Sequence, residues 1–290
     1  MLTEATAKPG KDGARWLAPG ATFAERELRH DAAYQEPRLR AAGIRPERYG
    51  AISEAGLFGL DCFDSMNLAG LDIDGYVFLA QSYRQIAPVA LGQAVRISGH
   101  VRHRETMLRG VLVDEIYRFT DGGGRVLIET ELTGLLADPL GATEPTGCPD
   151  APALPRRSEL AREGWEFLTE KRVTPDDVRV FSQDVGNEIH FDTDFAARYG
   201  FRAPLAQGIM SAVWLLSALA DEAGAPPATF HAELRYLRPV FWDAAASLWV
   251  RRAPNGTVSA VESRNEDGKV TADLVLRSPL SRLDGTAPRP

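Results

Sequence analysis

The chain lacks the residues on which a covalently or metal-braced fold depends. It has 290 residues but only two cysteines, Cys62 and Cys148. No metal-ligand spacing links them, so neither a disulfide scaffold nor a zinc module can organise the fold. A surplus of positive charge is also missing: the formal net charge is −7, which disfavours a non-specific nucleic-acid binder. Long apolar runs are absent as well. The most apolar helical stretch, near 209–220, is too short to span a bilayer. The opening segment MLTEATAKPGKDGARW has no apolar core of a secretory signal. These absences lead us to expect a soluble, cytoplasmic protein with no nucleic-acid or membrane partner and two reduced thiols.

What is present is enough apolar material for a sizeable core. Apolar residues make up 44% of the chain and charged residues 25%, a globular balance. The first twenty or so residues carry Gly, Pro and Lys without period and read as a loose arm. Residues 21–66 read as mainly helical: ATFAERELRHDAAY is amphipathic, and SEAGLFGLDCFDSM reads as a second, largely buried helix. Strand patterns follow at 76–87, 93–104, 107–119 and 125–137, with DGGG at 121–124 as the hairpin turn of the last pair. Residues 138–160 hold five prolines and almost no period, which makes them the linker candidate. Beyond a short strand or helix, Thr174 is placed to cap a helix beginning at Pro175. A helix over 208–222 and strands over 230–238, 246–252, 257–264 and 269–277 complete the pattern.

The two halves echo each other. YRQIAPV, ending Pro88-Val89, lines up with LRYLRPV, ending Pro239-Val240, and the two prolines lie 151 residues apart. A helix followed by an antiparallel meander, used twice, predicts a duplicated α+β unit. The expected organisation is an N-terminal half over 1–137, the linker, and a C-terminal half over 161–290.

The second half carries the chemistry. FSQDVGNEIHFD at 181–192 and YGFRAPLAQGIM at 199–210 resemble the MaoC-like (R)-specific enoyl-CoA hydratase family. That family's pattern places a Ser-Gly-Asp and an Asn-Pro-Ile-His-x-Asp before Gly-Phe-x-x-Pro-Ile-Ala-His-Gly. Ile189, His190, Asp192, Gly200, Phe201, Pro204 and Gly208 match it. The first half resembles the family in strand pattern alone. That is similar to its double hot-dog subgroup, in which one half keeps the active-site residues and the other makes room for the acyl chain. The resemblance implies an α+β double hot-dog fold, each unit a helix wrapped by an antiparallel sheet. It also implies a hydro-lyase acting on an acyl thioester of coenzyme A or an acyl-carrier protein, with no cofactor or metal, in a homodimer.

Adding water across a 2-enoyl thioester needs a base for the water, an acid for the α-carbon and donors for the thioester oxygen. The resemblance makes His190 the base, an imidazole whose ordinary pKa lies near the working pH. It places Gly208 at the start of a central helix, where a backbone N–H and the helix dipole meet the thioester oxygen. Gln207 stands where the family has His, lining the site or steadying the loop. Pro204 belongs to the same substrate-side motif. The chain departs from the family at the acid. The position five residues before His190 is Val185, and the nearest candidates are Asp184, six back, and Asn187, three back. Asn orients water but is no proton donor of the carboxylic kind. A thioesterase and a catalytically reduced acyl-binding subunit are the competing readings. Asp192 and Asp194 read as a helix cap and its first-turn charge. His100 and His103 read as a solvated strand face, and His30 and His231 as incidental. Arg202 and Arg238 are candidates for coenzyme A phosphates.

Overall fold

A computed structural model describes residues 17–140, 162–182, 185–242, 244–278 and 280–282. The arm at 1–16, Cys148, Asp184 and most of the expected linker therefore lie outside the described residues. In the first half, β1 (Thr22–Leu28) and α1 (Ala32–Ala41) precede α2 (Phe58–Leu68). The meander β2 (Tyr76–Gln85), β3 (Val95–Met107), β4 (Gly110–Thr120) and β5 (Val126–Ala137) follows. The second half repeats this order. After β6 (Glu166–Arg172), α3 (Pro175–Ser182) and α4 (Thr193–Arg198) comes the central helix α5 (Gly208–Ala223). Then come β7 (Pro227–Tyr236), β8 (Ala245–Arg252), β9 (Val258–Arg264), β10 (Val270–Leu276) and a short β11 (Ser281–Arg282).

The strands form one continuous antiparallel sheet in the order β1-β3-β4-β5-β2-β7-β10-β9-β8-β6, with β11 on β7. That order is the same read from either end once each strand is exchanged for its counterpart in the other half. β2 and β7 join the halves, and Ser82 pairs with Glu233 in the middle of that ladder. Those two residues are 151 apart, the same spacing as the Pro-Val echo. The duplication expected from sequence thus takes the form of a pseudo-twofold arrangement whose axis passes through the strand pair that links the units. Each unit wraps its sheet around a helix, so the chain is the expected α+β double hot-dog.

The central helix α5 is buried because it is apolar on nearly every face. In α5 every residue from Ile209 to Ala220 is buried, the pattern of a helix enclosed on all sides. Gly224 ends it in a left-handed conformation, φ 77°, as a C-terminal glycine commonly does. Trp214 Nε1 donates to the Ala42 carbonyl at 2.9 Å and fixes α5 to the end of α1. The helices α2 and α5 touch at Gly59, where an added Cβ would stand 2.3 Å from Ile209 Cδ1.

One expectation fails. Residues 22–28 are a strand, not the first turns of an amphipathic helix. Leu28 pairs with Val95 and Thr22 with His100 along β3. Ala, Glu, Arg and Leu favour helix locally, but an open sheet edge with places for Phe23 and Leu28 overrides that preference. The helix begins only after Asp31, whose side chain accepts from Tyr34 N at 2.8 Å. The segment after the linker resolves as the strand β6. Thr174 does cap α3, its Oγ1 accepting from Asp177 N at 3.2 Å while Asp177 Oδ2 accepts from Thr174 N, a reciprocal pair.

Candidate functional site

The loop that carries His190 is held by the other half of the molecule. Asn67, at the end of α2, donates Nδ2 to the Val185 carbonyl at 2.9 Å. Gly186 follows in a left-handed turn, φ 74°, which reverses the chain into Asn187. Asn187 is fully buried. Its Oδ1 accepts from Gly75 N at 3.2 Å and from Ile189 N, while its Nδ2 donates to the Tyr76 carbonyl at 3.0 Å. A short 3-10 turn, Glu188–His190, then presents the imidazole. Asp192 caps α4 by accepting from Phe195 N at 2.8 Å.

His190 is 5% exposed. Its Nδ1 lies 3.0 Å from the Leu205 carbonyl oxygen. A carbonyl can only accept, so Nδ1 carries the proton and Nε2 keeps its lone pair. Burial pushes the imidazole pKa down to about 4, only partly opposed by the Leu205 carbonyl. This corrects the expectation of a pKa near the working pH. The ring is neutral throughout the physiological range, a weaker base whose conjugate acid is correspondingly stronger.

The ring lines a cavity of about 190 Å³. Gly208 at the start of α5 lines it too, as do Leu205, Ala206 and Ser211. The α5 N-cap, Gln207, is extended (φ −67°, ψ 145°) and makes no side-chain cap bond. Of the first-turn amides, Met210 N donates to the Gln207 carbonyl at 3.0 Å, and Gly208 heads the turn in the cavity lining. The first half contributes Phe63, Tyr76, Val77 and Phe78 to the wall. The ring of Phe78 sits so close that a Cβ at Gly208 would lie 2.6 Å from its Cδ2. Leu237 and Arg238 are exposed residues of the same lining and mark its mouth.

Of the other candidates, Asn187, Gln207 and Pro204 do not line the cavity. Asn187 is tied to backbone groups instead. Gln207 is fully buried; its Oε1 accepts from Ser182 Oγ at 3.4 Å, and its Nε2 has no partner among the described residues. The Pro204 carbonyl accepts from Trp242 N at 3.1 Å. No carboxylate of the described residues lines the cavity. Arg238 donates to the Val270 carbonyl at 2.7 Å beside the mouth, whereas Arg202 stacks on Phe241 with its guanidinium 4.1 Å from the ring centre.

Sequence reasoning missed Ser211 and the aromatic wall. Ser211 is one turn beyond Gly208, a spacing that puts both on one helix face. The wall comes from the half without the motif, and no local pattern announces it. The incidental reading of two histidines is also corrected. His30 is buried between the rings of Tyr34 and Phe58, with Nε2 2.8 Å from Asp61 Oδ2 and Nδ1 3.1 Å from Ser53 Oγ. The cluster is a buried brace: Arg26 of β1 also donates to the Asp61 carbonyl of α2 at 3.0 Å. His231 Nε2 lies 3.3 Å from Ser82 Oγ at the central strand pair.

A larger cavity of about 440 Å³ lies beside the end of α5, lined by Glu222, Arg252 and Arg277 among others. Both arginines are already paired, Arg252 with Glu222 and Glu166, Arg277 with Glu233. Among the described residues no cluster of His, Cys, Asp or Glu could hold a metal ion. No described helix is long and apolar enough to cross a membrane.

No protein-family model matches the chain, and no curated protein sequence does. Solved structures do. HtdX from Mycobacterium tuberculosis superposes with a TM-score of 0.68 at 22% identity, over 89% of this chain and 99% of that one. A MaoC-like dehydratase matches with a TM-score of 0.68 at 14% identity, over 92% of this chain and 100% of that one. A third structure, a conserved hypothetical protein of Mycobacterium tuberculosis described as a double hotdog fold, matches at 0.60 and 14% identity, over 90% and 96%. This chain has the hot-dog fold. Both hot-dog units lie in one polypeptide, and the motif-bearing cavity belongs to the second, walled by the first.

Proposed function

We propose that the protein hydrates 2-enoyl thioesters, or dehydrates 3-hydroxyacyl thioesters, as a MaoC-like enzyme of the (R)-specific type. The observation that carries this reading is the pairing of two groups in one cavity. His190 offers a bare Nε2, fixed by its Nδ1–H bond to Leu205. In the same lining, the start of α5 brings Gly208 with its backbone N–H, with no side chain capping the helix.

In the hydration direction, Nε2 takes a proton from water as the water oxygen attacks the β-carbon. Electron density moves onto the thioester oxygen, which the Gly208 amide and the α5 dipole receive. The enolate then takes a proton at the α-carbon. Asp184 is one donor for this step. The imidazolium is the other: with a pKa near 4 it is a strong acid, and handing back the proton restores the neutral ring. Asn187 acts by holding the loop to Gly75 and Tyr76. Ser211 is the remaining buried hydroxyl-bearing side chain of α5 in the lining, suited to the water or the 3-hydroxyl. Coenzyme A or an acyl carrier is the substrate's handle, and Arg238 stands at the mouth to meet its phosphate. The pairing of two units that this fold requires is met inside one chain; a homodimer would be an assembly beyond it.

The test is loss of the ultraviolet absorbance of crotonyl-CoA on adding the purified protein. Hydration bleaches the conjugated enoyl thioester. Release of free thiol without bleaching would identify a thioesterase. Neither signal over a range of acyl groups would identify an acyl-binding protein.

A further inference from the structure

We infer that the substrate's acyl group is short, in the butenoyl to hexenoyl range, because the first half closes the cavity with an aromatic wall. This rests on the acyl-thioester reading above and adds the substrate class. The mouth is exposed at Leu237 and Arg238, and the lining becomes buried inward: Ser211 is 6% exposed, Phe63 and Tyr76 1% each. At the deep end Phe63, Tyr76 and Phe78 meet edge to face. Phe63 lies 5.0 Å from Phe78 and 5.6 Å from Tyr76, and Tyr76 lies 5.7 Å from Phe78, with interplanar angles of 79–89°. Three rings in mutual edge contact hold one another in place, so none swings aside without breaking two contacts.

The route past them is closed as well. One turn further along α5, Trp214 and Leu215 are buried in the core. The counterpart space in the first half is only about 20 Å³, too small to extend the acyl site across the pseudo-twofold axis. An acyl group whose thioester oxygen rests at Gly208 must run along Phe78 and end against Phe63. A resemblance to double hot-dog enzymes implies that the silent half makes room for the chain; here it sets a stop.

The experiment measures binding of butyryl-, hexanoyl-, octanoyl- and lauroyl-CoA to the full-length protein by titration calorimetry. These saturated thioesters cannot be hydrated, so the readout does not depend on turnover. Affinity should peak at butyryl or hexanoyl and fall by about tenfold or more at lauroyl. Phe63→Ala should remove the stop and raise lauroyl affinity relative to butyryl by at least about tenfold. Because Phe63 is a core residue, Phe63→Leu serves as the milder variant and should shift the optimum by one step. Lauroyl binding by the wild type as tight as butyryl overturns the inference, as does an unchanged ranking in a folded Phe63 variant. Binding that follows the predicted ranking without crotonyl-CoA hydration would sink only the hydratase reading. No binding at any length sinks the acyl-thioester reading and this inference with it.

Discussion

The central helix of the first half begins against its own chain. A 3-10 turn, Ala55–Leu57, leads into α2, and Glu54 Oε2 accepts from Leu57 N at 3.0 Å. In the second half the corresponding stretch, 206–208, is not helical until its last residue, and α5 starts there at Gly208 with no side-chain cap. Leu57 and Gly208 are 151 residues apart, as are Gln85 and Tyr236, and Tyr76 and Pro227. All six line one or the other cavity or stand at its helix end. The two spaces are therefore counterparts, one of about 190 Å³ and one of about 20 Å³. An extra turn and a carboxylate fill one helix start; the other stays open. The closed half is instructive about the open one: there the N–H of Leu57, the counterpart of Gly208, donates to a carboxyl oxygen.

Glu54 is 1% exposed, and burial raises its pKa to about 8 despite backbone donors at Gly56 and Leu57. Its folded value thus lies above the unfolded one. Below about pH 4.5 both states are protonated and it contributes nothing. As pH climbs toward 8 the unfolded state ionises first and stability is lost. Glu54→Gln keeps the acceptor and removes that loss. It should be more stable than wild type at pH 8, by at most about 4 kcal/mol, and match it near pH 4, with hydration unchanged. Denaturant midpoints at the two pH values decide it; equal midpoints at pH 8 would mean that Glu54 is not the buried acid described.

The open end is probed by Gly208→Ala. The added methyl would stand 2.6 Å from Phe78 Cδ2, and under the proposed mechanism kcat/KM on crotonyl-CoA should fall by about a hundredfold. A fall of less than threefold would remove Gly208 from the site. The smallest effect is expected at Asp192→Ala, which strips the α4 cap behind His190. It should cost about 1 kcal/mol of stability, read as a lowered melting temperature, with the pH profile of crotonyl-CoA hydration unmoved.

Much of this was legible in sequence because it is local or repeated. The hairpins, the Thr174 cap and the apolar α5 follow from patterns within a dozen residues, and the Pro-Val echo pointed to a duplicated unit with a 151-residue offset. What escaped is non-local. Residues 22–28 became a strand because β3 offers an edge; His30 found Asp61 and Ser53 from beyond its own segment. At the site, His190 and Gly208 stood out through the motif. The aromatic stop did not, because Phe63, Tyr76 and Phe78 reach the cavity only after two halves fold onto one another. The direction of the His190 pKa likewise depends on burial, which a motif does not record.

The most direct test of the account is the pH dependence of kcat/KM for crotonyl-CoA hydration, with His190→Ala alongside. A buried, neutral His190 acting through Nε2 predicts activity that persists down through pH 5, an acid limb near pH 4, and a loss of about a thousandfold in the variant. An acid limb near 6.5, the ordinary value for an imidazole, or a variant as active as the wild type, would contradict it.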